Sequence, residues 1–364
     1  MTPCRIVVST PLGSANKFAI LAGGTKEKVD KRTLHWTLHP EKSRGVYEVC
    51  GDQKLPIKDS KTAFNKWNQE RSIGRIRSPW YDAEAERRSE SDLAQEVDID
   101  YLRSGRPFFD LRQLFKQRVW TFIKLSPEQS IPYGRFIRAN LVDVDHRVEL
   151  RQMDTGWLRI YELPKEDYQY VVSGDTSEGL PKGDESAIIV REKISRNVVA
   201  CTNALYKPDD LGLKLHHVAK FYNKAVVGPE NNNHGYTTTN ELLKLDCKVY
   251  YTKRYNSEGQ ITSEKPGFTT DIKSRPEMLD QMEEEIRKSA FELRDETLIA
   301  QCKTFVFNQK NGKPEADGSF LDDMVMACAI AGQMIKEEPY KAASEVDAGT
   351  AALAHEYRRP MSGF

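Results

Sequence analysis

The chain has 364 residues with 54 basic and 54 acidic side chains, enough for one large domain or two ordinary ones and without an overall basic charge. Any contact with a polyanion therefore has to come from local basic faces. The six cysteines, at positions 4, 50, 201, 247, 302 and 328, form no close pair and no C-x-x-C, which argues against a disulfide framework and against a zinc site. No stretch approaches the roughly 18 apolar residues that span a bilayer, and no signal peptide precedes the first strand, so a soluble, intracellular protein is expected.

In chain order, a short β-branched run at Arg5–Val8 leads into the polar loop Ser-Thr-Pro-Leu-Gly-Ser, as in a strand-to-helix connection. A second strand is expected at Thr33–Leu38. His35 and His39 within and beside it have helical ligand spacing but no cysteine or acid as a third partner, so they do not read as a metal site. Ser78-Pro-Trp-Tyr introduces a helix over Asp82–Leu93, and Pro107-Phe-Phe-Asp is a last extended piece. Residues 126–166, with Pro127, Pro132, Gly134, Gly156 and Pro164, read as a linker.

From Tyr168 the pattern becomes regular. Strands Tyr168–Ser173, Ser186–Arg191 and Val198–Tyr206 predict an antiparallel meander, followed by helix Asp210–Tyr222, strand Ala225–Val227, helix Thr238–Leu245 and strand Lys248–Thr252. A Gly/Ser-bearing excursion covers Asn256–Thr270. The helix Pro276–Ala290 places Met278, Leu279, Met282 and Ile286 at helical spacing. Strands are expected near Leu298 and at Thr304–Asn308, then a buried helix, then a polar tail over 339–364. This is the element order of the RNase H/integrase fold: an α/β domain over 167–338 with a mixed central sheet flanked by helices.

Three acidic positions stand where these elements meet loops. Asp175 ends Tyr-Gln-Tyr-Val-Val-Ser-Gly-Asp, Glu230 ends Ala-Val-Val-Gly-Pro-Glu, and Asp322 and Asp323 open Met-Val-Met-Ala-Cys-Ala-Ile-Ala. Singly, each has an ordinary explanation: a turn aspartate, a solvated loop charge, an N-cap with its first-turn neighbour. Jointly, adjacent strand ends and a helix start would focus three or four carboxylates on one point, which divalent cations must neutralise. Two cations about 4 Å apart are a common device for phosphodiester hydrolysis. Asp184 begins the strand paired with the first and is either an auxiliary acid or a hairpin-turn residue.

The motifs Asp175-Thr-Ser-Glu-Gly with Gly183-Asp-Glu-Ser-Ala, Gly228-Pro-Glu-Asn-Asn-Asn-His-Gly, Gly267-Phe-Thr-Thr and Leu321-Asp-Asp-Met-Val-Met-Ala resemble the nuclease domain of the large terminase subunit of tailed bacteriophages. Gly156-Trp-Leu-Arg-Ile-Tyr-Glu-Leu-Pro is similar to that family's lead-in. Arg5-Ile-Val-Val-Ser-Thr-Pro-Leu-Gly resembles the coupling motif of its ATPase, and Ser78-Pro-Trp-Tyr and Gln95-Glu-Val-Asp-Ile-Asp resemble the end of that ATPase. The resemblance covers residues 1–335 and departs in two places. No G-x-x-x-x-G-K-[ST] occurs, since Gly23-Gly24-Thr25-Lys26 has the wrong order and Gly312-Lys313 precedes proline. Residues 1–125 are thus expected to be a partial P-loop-type α/β ATPase remnant without a complete ATP site, from a truncated, split or internally initiated subunit. Leu321 also stands where some family members carry histidine.

The resemblance implies an endonuclease that cuts concatemeric double-stranded viral DNA during packaging. Asp175 would bridge two Mg²⁺ or Mn²⁺ ions, Glu230 and Asp323 would each complete one coordination shell, and Asp322 would support from outside. Lys253, Arg254, Lys273 and Arg275 are candidate phosphate contacts that also read as solvated charges. It further implies a small terminase subunit and a portal protein as partners, an oligomer on the portal, no membrane, and the cytoplasm of the bacterial host. A structure-selective resolvase of the same fold and a non-catalytic, portal-docking packaging adaptor are the competing readings.

Overall fold

A computed structural model describes residues 8–10, 31–70, 75–100, 104–126, 129–180, 183–232, 234–308, 311–318 and 320–340. All but Val8 of the strand expected at Arg5–Val8, the Gly23–Lys26 stretch and the residues from 341 onward lie outside them. The chain divides into two compact units, Met1–Leu111 with Lys303–Phe320, and Arg112–Cys302 with Leu321–Phe364.

The first unit holds a small antiparallel sheet of order β2-β1-β3, from β1 (Tyr47–Cys50), β2 (Gln53–Pro56) and β3 (Ile76–Arg77). Helices α1 (Ser60–Glu70), α2 (Pro79–Arg87) and α3 (Glu90–Glu96) accompany it. The single helix expected over Asp82–Leu93 is two helices, because Arg88 is extended and each helix has its own serine cap. Tyr81 N donates to Ser78 Oγ at 3.1 Å, and Asp92 N donates to Ser89 Oγ at 3.2 Å. The strand expected at Thr33–Leu38 is replaced by one 3₁₀ turn, Trp36–Leu38, whose cap is His35. Its aromatic residues fold inward rather than alternate. Trp36 packs with Val46, Ala63, Ile76, Tyr81 and Val97, and His35 stacks on Trp67 at 3.9 Å. A hairpin of Phe305–Phe307 and Pro314–Ala316 belongs to this unit, with Pro107 bridged to Val306.

The second unit is built on an eight-stranded mixed sheet of order β11-β8-β9-β10-β7-β5-β4, with β6 paired to β5. Its strands are β4 (Thr121–Phe122), β5 (Arg135–Val144), β6 (Arg147–Gln152), β7 (Leu158–Ile160), β8 (Tyr170–Asp175), β9 (Ser186–Glu192), β10 (Val198–Ala204) and β11 (Val226–Pro229). The expected linker 126–166 therefore supplies three strands of the sheet. Ile137, Ala139 and Leu141 alternate into the core, and β7 is buried throughout. The glycines that suggested a connector mark its turns and close approaches. A Cβ on Gly156 would sit 2.4 Å from the Ala139 nitrogen.

Helix α4 (Pro208–Phe221) covers one face, where Leu211, Leu215 and Val218 join the core, and α5 (Gly235–Lys244) packs beside it. After β11, only Val249 of the expected strand Lys248–Thr252 bridges Val227. The ladder starts at β12 (Tyr251–Tyr255), which pairs with β13 (Ile261–Pro266), so the excursion 256–270 is largely a hairpin. Helix α6 (Ser274–Arg287) follows. Leu298, expected in a strand, lies in helix α7 (Glu296–Lys303), where Leu298, Ile299 and Cys302 are buried at helical spacing. Helix α8 (Asp323–Glu337) lies on the face opposite α4. Ser173 Oγ donates to the Ala327 carbonyl at 2.6 Å, whereas a Cβ on the next residue, Gly174, would meet Leu215 of α4. Fully buried Arg191 ties this face together: Nη2 donates to Glu285 Oε2 of α6 at 2.8 Å, Nε donates to the Arg196 carbonyl at 2.7 Å, and the guanidinium lies 4.0 Å above Phe291. Among the described residues no helix is long and apolar enough to cross a membrane.

The buried His35 generates a prediction for the first unit. Burial lowers its pKa from 6.5 to about 3, and its Nε2 has no hydrogen-bond partner. Between those values the unfolded chain binds a proton that the folded unit refuses, so stability falls as pH drops, by up to about 1.4 kcal/mol per pH unit. Denaturant titrations followed by tryptophan fluorescence at pH 7 and pH 5 should show this loss. His35→Phe, which keeps the ring stack, should reduce the pH dependence.

Candidate metal centre

Strand pairing brings the acids together. β11 runs parallel to β8 with Gly228 opposite Ser173 and Pro229 opposite Gly174. The next residue on each strand is Glu230 and Asp175, so two carboxylates emerge side by side at one end of the sheet. Glu230 N donates to the Gly174 carbonyl at 2.7 Å, which fixes this register at its last rung. β9 is antiparallel to β8, with Ala187 opposite Asp175, so Asp184 and Glu185 lie at the same end. Helix α8 begins there too. A Cβ on Gly228 would lie 2.5 Å from Met334 Sδ, so a glycine on β11 lets that helix approach closely. Met324 N is held by Gln301 Oε1 at 2.9 Å, anchoring the first turn that carries Asp323.

The loop after β11 is clipped to the segment after β13. Phe268 N donates to the Pro229 carbonyl at 2.7 Å, and Asn231 N donates to the Phe268 carbonyl at 2.9 Å. The Asn231 side chain holds the Pro266 carbonyl at 2.9 Å. Asn232 Nδ2 reaches both the Thr270 carbonyl at 2.8 Å and Glu230 Oε1 at 3.2 Å. Gly267 adopts φ +85°, and a Cβ there would sit 2.8 Å from the Pro229 oxygen. The asparagine run and Gly-Phe-Thr-Thr are thus the mount of Glu230. Their roles are not readable in the sequence, because the partners are main-chain atoms about 35 residues away.

Burial and mutual repulsion both act on the carboxylates at this end. Burial raises the Asp175 carboxyl well above its ordinary value, and the neighbouring Glu230, Asp323 and Asp322 add to the rise. Asp323 is pushed up to about 7, by burial first and then by Asp322, Asp184 and Glu185. Its side chain is 6 % exposed, and its Oδ2 is buried without a hydrogen-bond partner. Asp322, by contrast, pairs with Arg275 at 3.7 Å. Among the described residues no group of three or more Asp, Glu, His or Cys side chains stands ready-made to hold an ion. The donors are hard carboxylate oxygens, which suit Mg²⁺ or Mn²⁺, and the orphaned Asp323 oxygen is an open valence for one. The residues fit the cations.

The expected DNA-contact cations are in mixed states. On β12, Lys253 pairs with Glu264 at 3.6 Å and Arg254 with Asp271 at 3.1 Å. Arg275 is engaged with Asp322, and Lys273, just before α6, is exposed. Glu185 is an acid of this end that the sequence reading passed over, although it directly follows Asp184.

The raised Asp323 carboxyl predicts an inverted pH profile for the cation-free protein. Its folded form keeps a proton that the unfolded chain releases near pH 4, so stability is lost as pH rises from about 4 through about 7. The melting transition of the second unit in EDTA should move to lower temperature across that window. Mg²⁺ or Mn²⁺ should restore them at pH 8, and Asp323→Asn should flatten the profile.

No protein-family model matches the chain, and no curated protein matches it. Among the solved structures to which it is similar are nuclease domains of large terminases. The large terminase nuclease from thermophilic phage G20c with bound cobalt is 14% identical, with a TM-score of 0.45 over 63% of this chain and 97% of that one. The same nuclease with bound magnesium gives 14% identity and a TM-score of 0.44, over 63% and 97%. The Thermus phage P74-26 large terminase nuclease domain is 17% identical, with a TM-score of 0.40 over 52% and 92%.

Proposed function

We propose that the second unit is an RNase H-like, divalent-cation-dependent DNA endonuclease of the large-terminase type, which cuts concatemeric double-stranded viral DNA during genome packaging. One observation carries this reading: Asp175 and Glu230 end adjacent strands, Asp323 opens the helix packed on them and acts on Asp175, and the Asp323 Oδ2 is buried with no partner. The sheet order supports the fold name, because β8, β9 and β10 are antiparallel neighbours and β11 lies parallel to β8 on its other side. The sequence motifs around each acid support the family.

Two Mg²⁺ or Mn²⁺ ions bound there would neutralise the acids, activate a water and stabilise the leaving 3′ oxygen. Asp175 feels the charges of both Glu230 and Asp323, which supports a bridging role for it. Glu230, held by Asn232, would serve one side and Asp323 the other. Asp322 is taken up by Arg275, so it would act from outside. The paired cations Lys253, Arg254 and Arg275, with exposed Lys273, would meet phosphates by exchanging their carboxylate partners. This favours backbone contacts over base reading. Residues 1–125 are proposed as the remnant of a terminase ATPase, and the small terminase subunit and portal protein as partners in the host cytoplasm.

The test is nicking and linearisation of plasmid DNA by the purified chain with Mn²⁺, with and without EDTA. Asp175→Asn should lower cleavage by more than the roughly 100-fold expected for loss of an outer-shell partner, with the circular dichroism spectrum unchanged. Wild-type rates in that variant would refute the assignment. Cleavage confined to branched DNA would point to a resolvase, and metal-independent DNA binding without cleavage to an adaptor. Products cut from a long random duplex should share no consensus of several bases, and binding should weaken steeply with salt. A single sharp consensus at the sequenced ends would overturn the phosphate-based mode.

A further inference from the structure

The face of the sheet that carries the acids is organised in rows. Register sets Asn203 of β10 opposite Ala187 of β9, and Ala187 opposite Asp175 of β8, with Glu230 at the adjoining end of β11. Directly paired residues share a face, so these side chains belong to one surface. One pleat inward lies the row Arg159, Cys201, Ile189, Ser173 and Gly228.

Arg159 connects the two rows. It is 9 % exposed, its Nε pairs with Asp295 at 2.7 Å, and its Nη2 donates to Asn203 Oδ1 at 2.7 Å. It also lies 3.8 Å from the sulfur of Met324, the residue after Asp323. A guanidinium has donors only, so the Asn203 atom that faces it must be the amide oxygen. The amide nitrogen is thereby turned the other way, where it donates to Glu185 Oε2. Glu185 stands two residues before Ala187, on the same face of the chain entering β9. Its carboxylate is one of the charges that act on Asp323.

We infer that Glu185 is a further carboxylate of the candidate metal centre, and that Asn203, locked in one orientation by the buried Arg159, is the positioning residue that aims it. The inference rests on the nuclease reading. The independent sign of a ligand is the partnerless, buried Oδ2 of Asp323 at the same end of the sheet. The chemistry of the holder matters. Glu185 is half-buried among like charges that would drive it toward solvent. A lysine or arginine would retain it but cancel its charge, whereas a neutral amide retains it and leaves that charge for a cation. Asp184, one residue earlier, is exposed.

The experiment is calorimetric titration of Mn²⁺ into the full chain and into Glu185→Gln, Asn203→Ala and the double variant, with cleavage rates measured alongside. Each single substitution should weaken Mn²⁺ binding by about tenfold or more, the range typical of residues that orient ligands. The double variant should bind no more weakly than Glu185→Gln alone, because the two residues act through one carboxylate. If Asn203→Ala does not fold, Asn203→Asp replaces it, since that change keeps an acceptor for Arg159 and removes the donor to Glu185. Unaltered affinity in Glu185→Gln, or additive losses in the double variant, would overturn this inference alone. A wild-type chain that binds no Mn²⁺ would overturn the nuclease reading and this one with it.

Discussion

Parallel pairing of β11 with β8, with Gly228 opposite Ser173, sets Glu230 beside Asp175, and a slip of one residue would turn one carboxylate through the sheet. Much of the second unit serves that register. Gly267 takes a left-handed conformation so that its chain can pass close to the Pro229 carbonyl, and Asn231 and Asn232 clip the outgoing loop. Gly228 and Ser173 are small where α8 crosses, and Ser173 holds that helix by a main-chain carbonyl. The helix start, and with it Asp323, is therefore placed by the same two strands that place the other acids.

Charge on this face changes character along its length. Arg191 is matched by Glu285, and Arg159 by Asp295 with help from Tyr161, whose hydroxyl donates to Asp295 at 2.6 Å. Removing one partner of such a pair leaves a buried, uncompensated charge and costs about 3–5 kcal/mol. At the strand ends the pattern stops. Asp175, Glu230, Asp323, Asp184 and Glu185 lie at this end with Arg275 as the cation at Asp322, and burial and mutual repulsion raise the Asp175 and Asp323 carboxyls above their ordinary range. The fold compensates its interior ions and collects carboxylates at this end, which is the electrostatic basis of the proposed cation site.

The elements legible in the sequence are those whose signal is local. β8, β9 and β10 are short apolar runs bounded by turns, and α4, α6 and α8 have apolar residues at helical spacing or throughout. The placement of Asp175, Glu230 and Asp323 at element ends follows from those runs. Residues 126–166 were opaque because their strands are defined by partners far along the chain: β7 pairs with β10, and glycine and proline there serve turns inside the sheet rather than a boundary. Leu298 and His35 misled for a related reason. Apolar or aromatic residues in short runs suit strand and helix alike until packing decides.

The sequence by itself therefore determined which carboxylates stand at strand and helix ends, because apolar periodicity and its interruption are written in neighbouring residues. Only the tertiary structure decided that those ends coincide, that Asn232 holds Glu230, that Arg275 occupies Asp322 while Asp323 keeps a free oxygen, and that Arg159 turns Asn203 toward Glu185. Each of these depends on strand register and helix approach. Those are set by contacts between residues tens to more than a hundred positions apart, which no local pattern encodes.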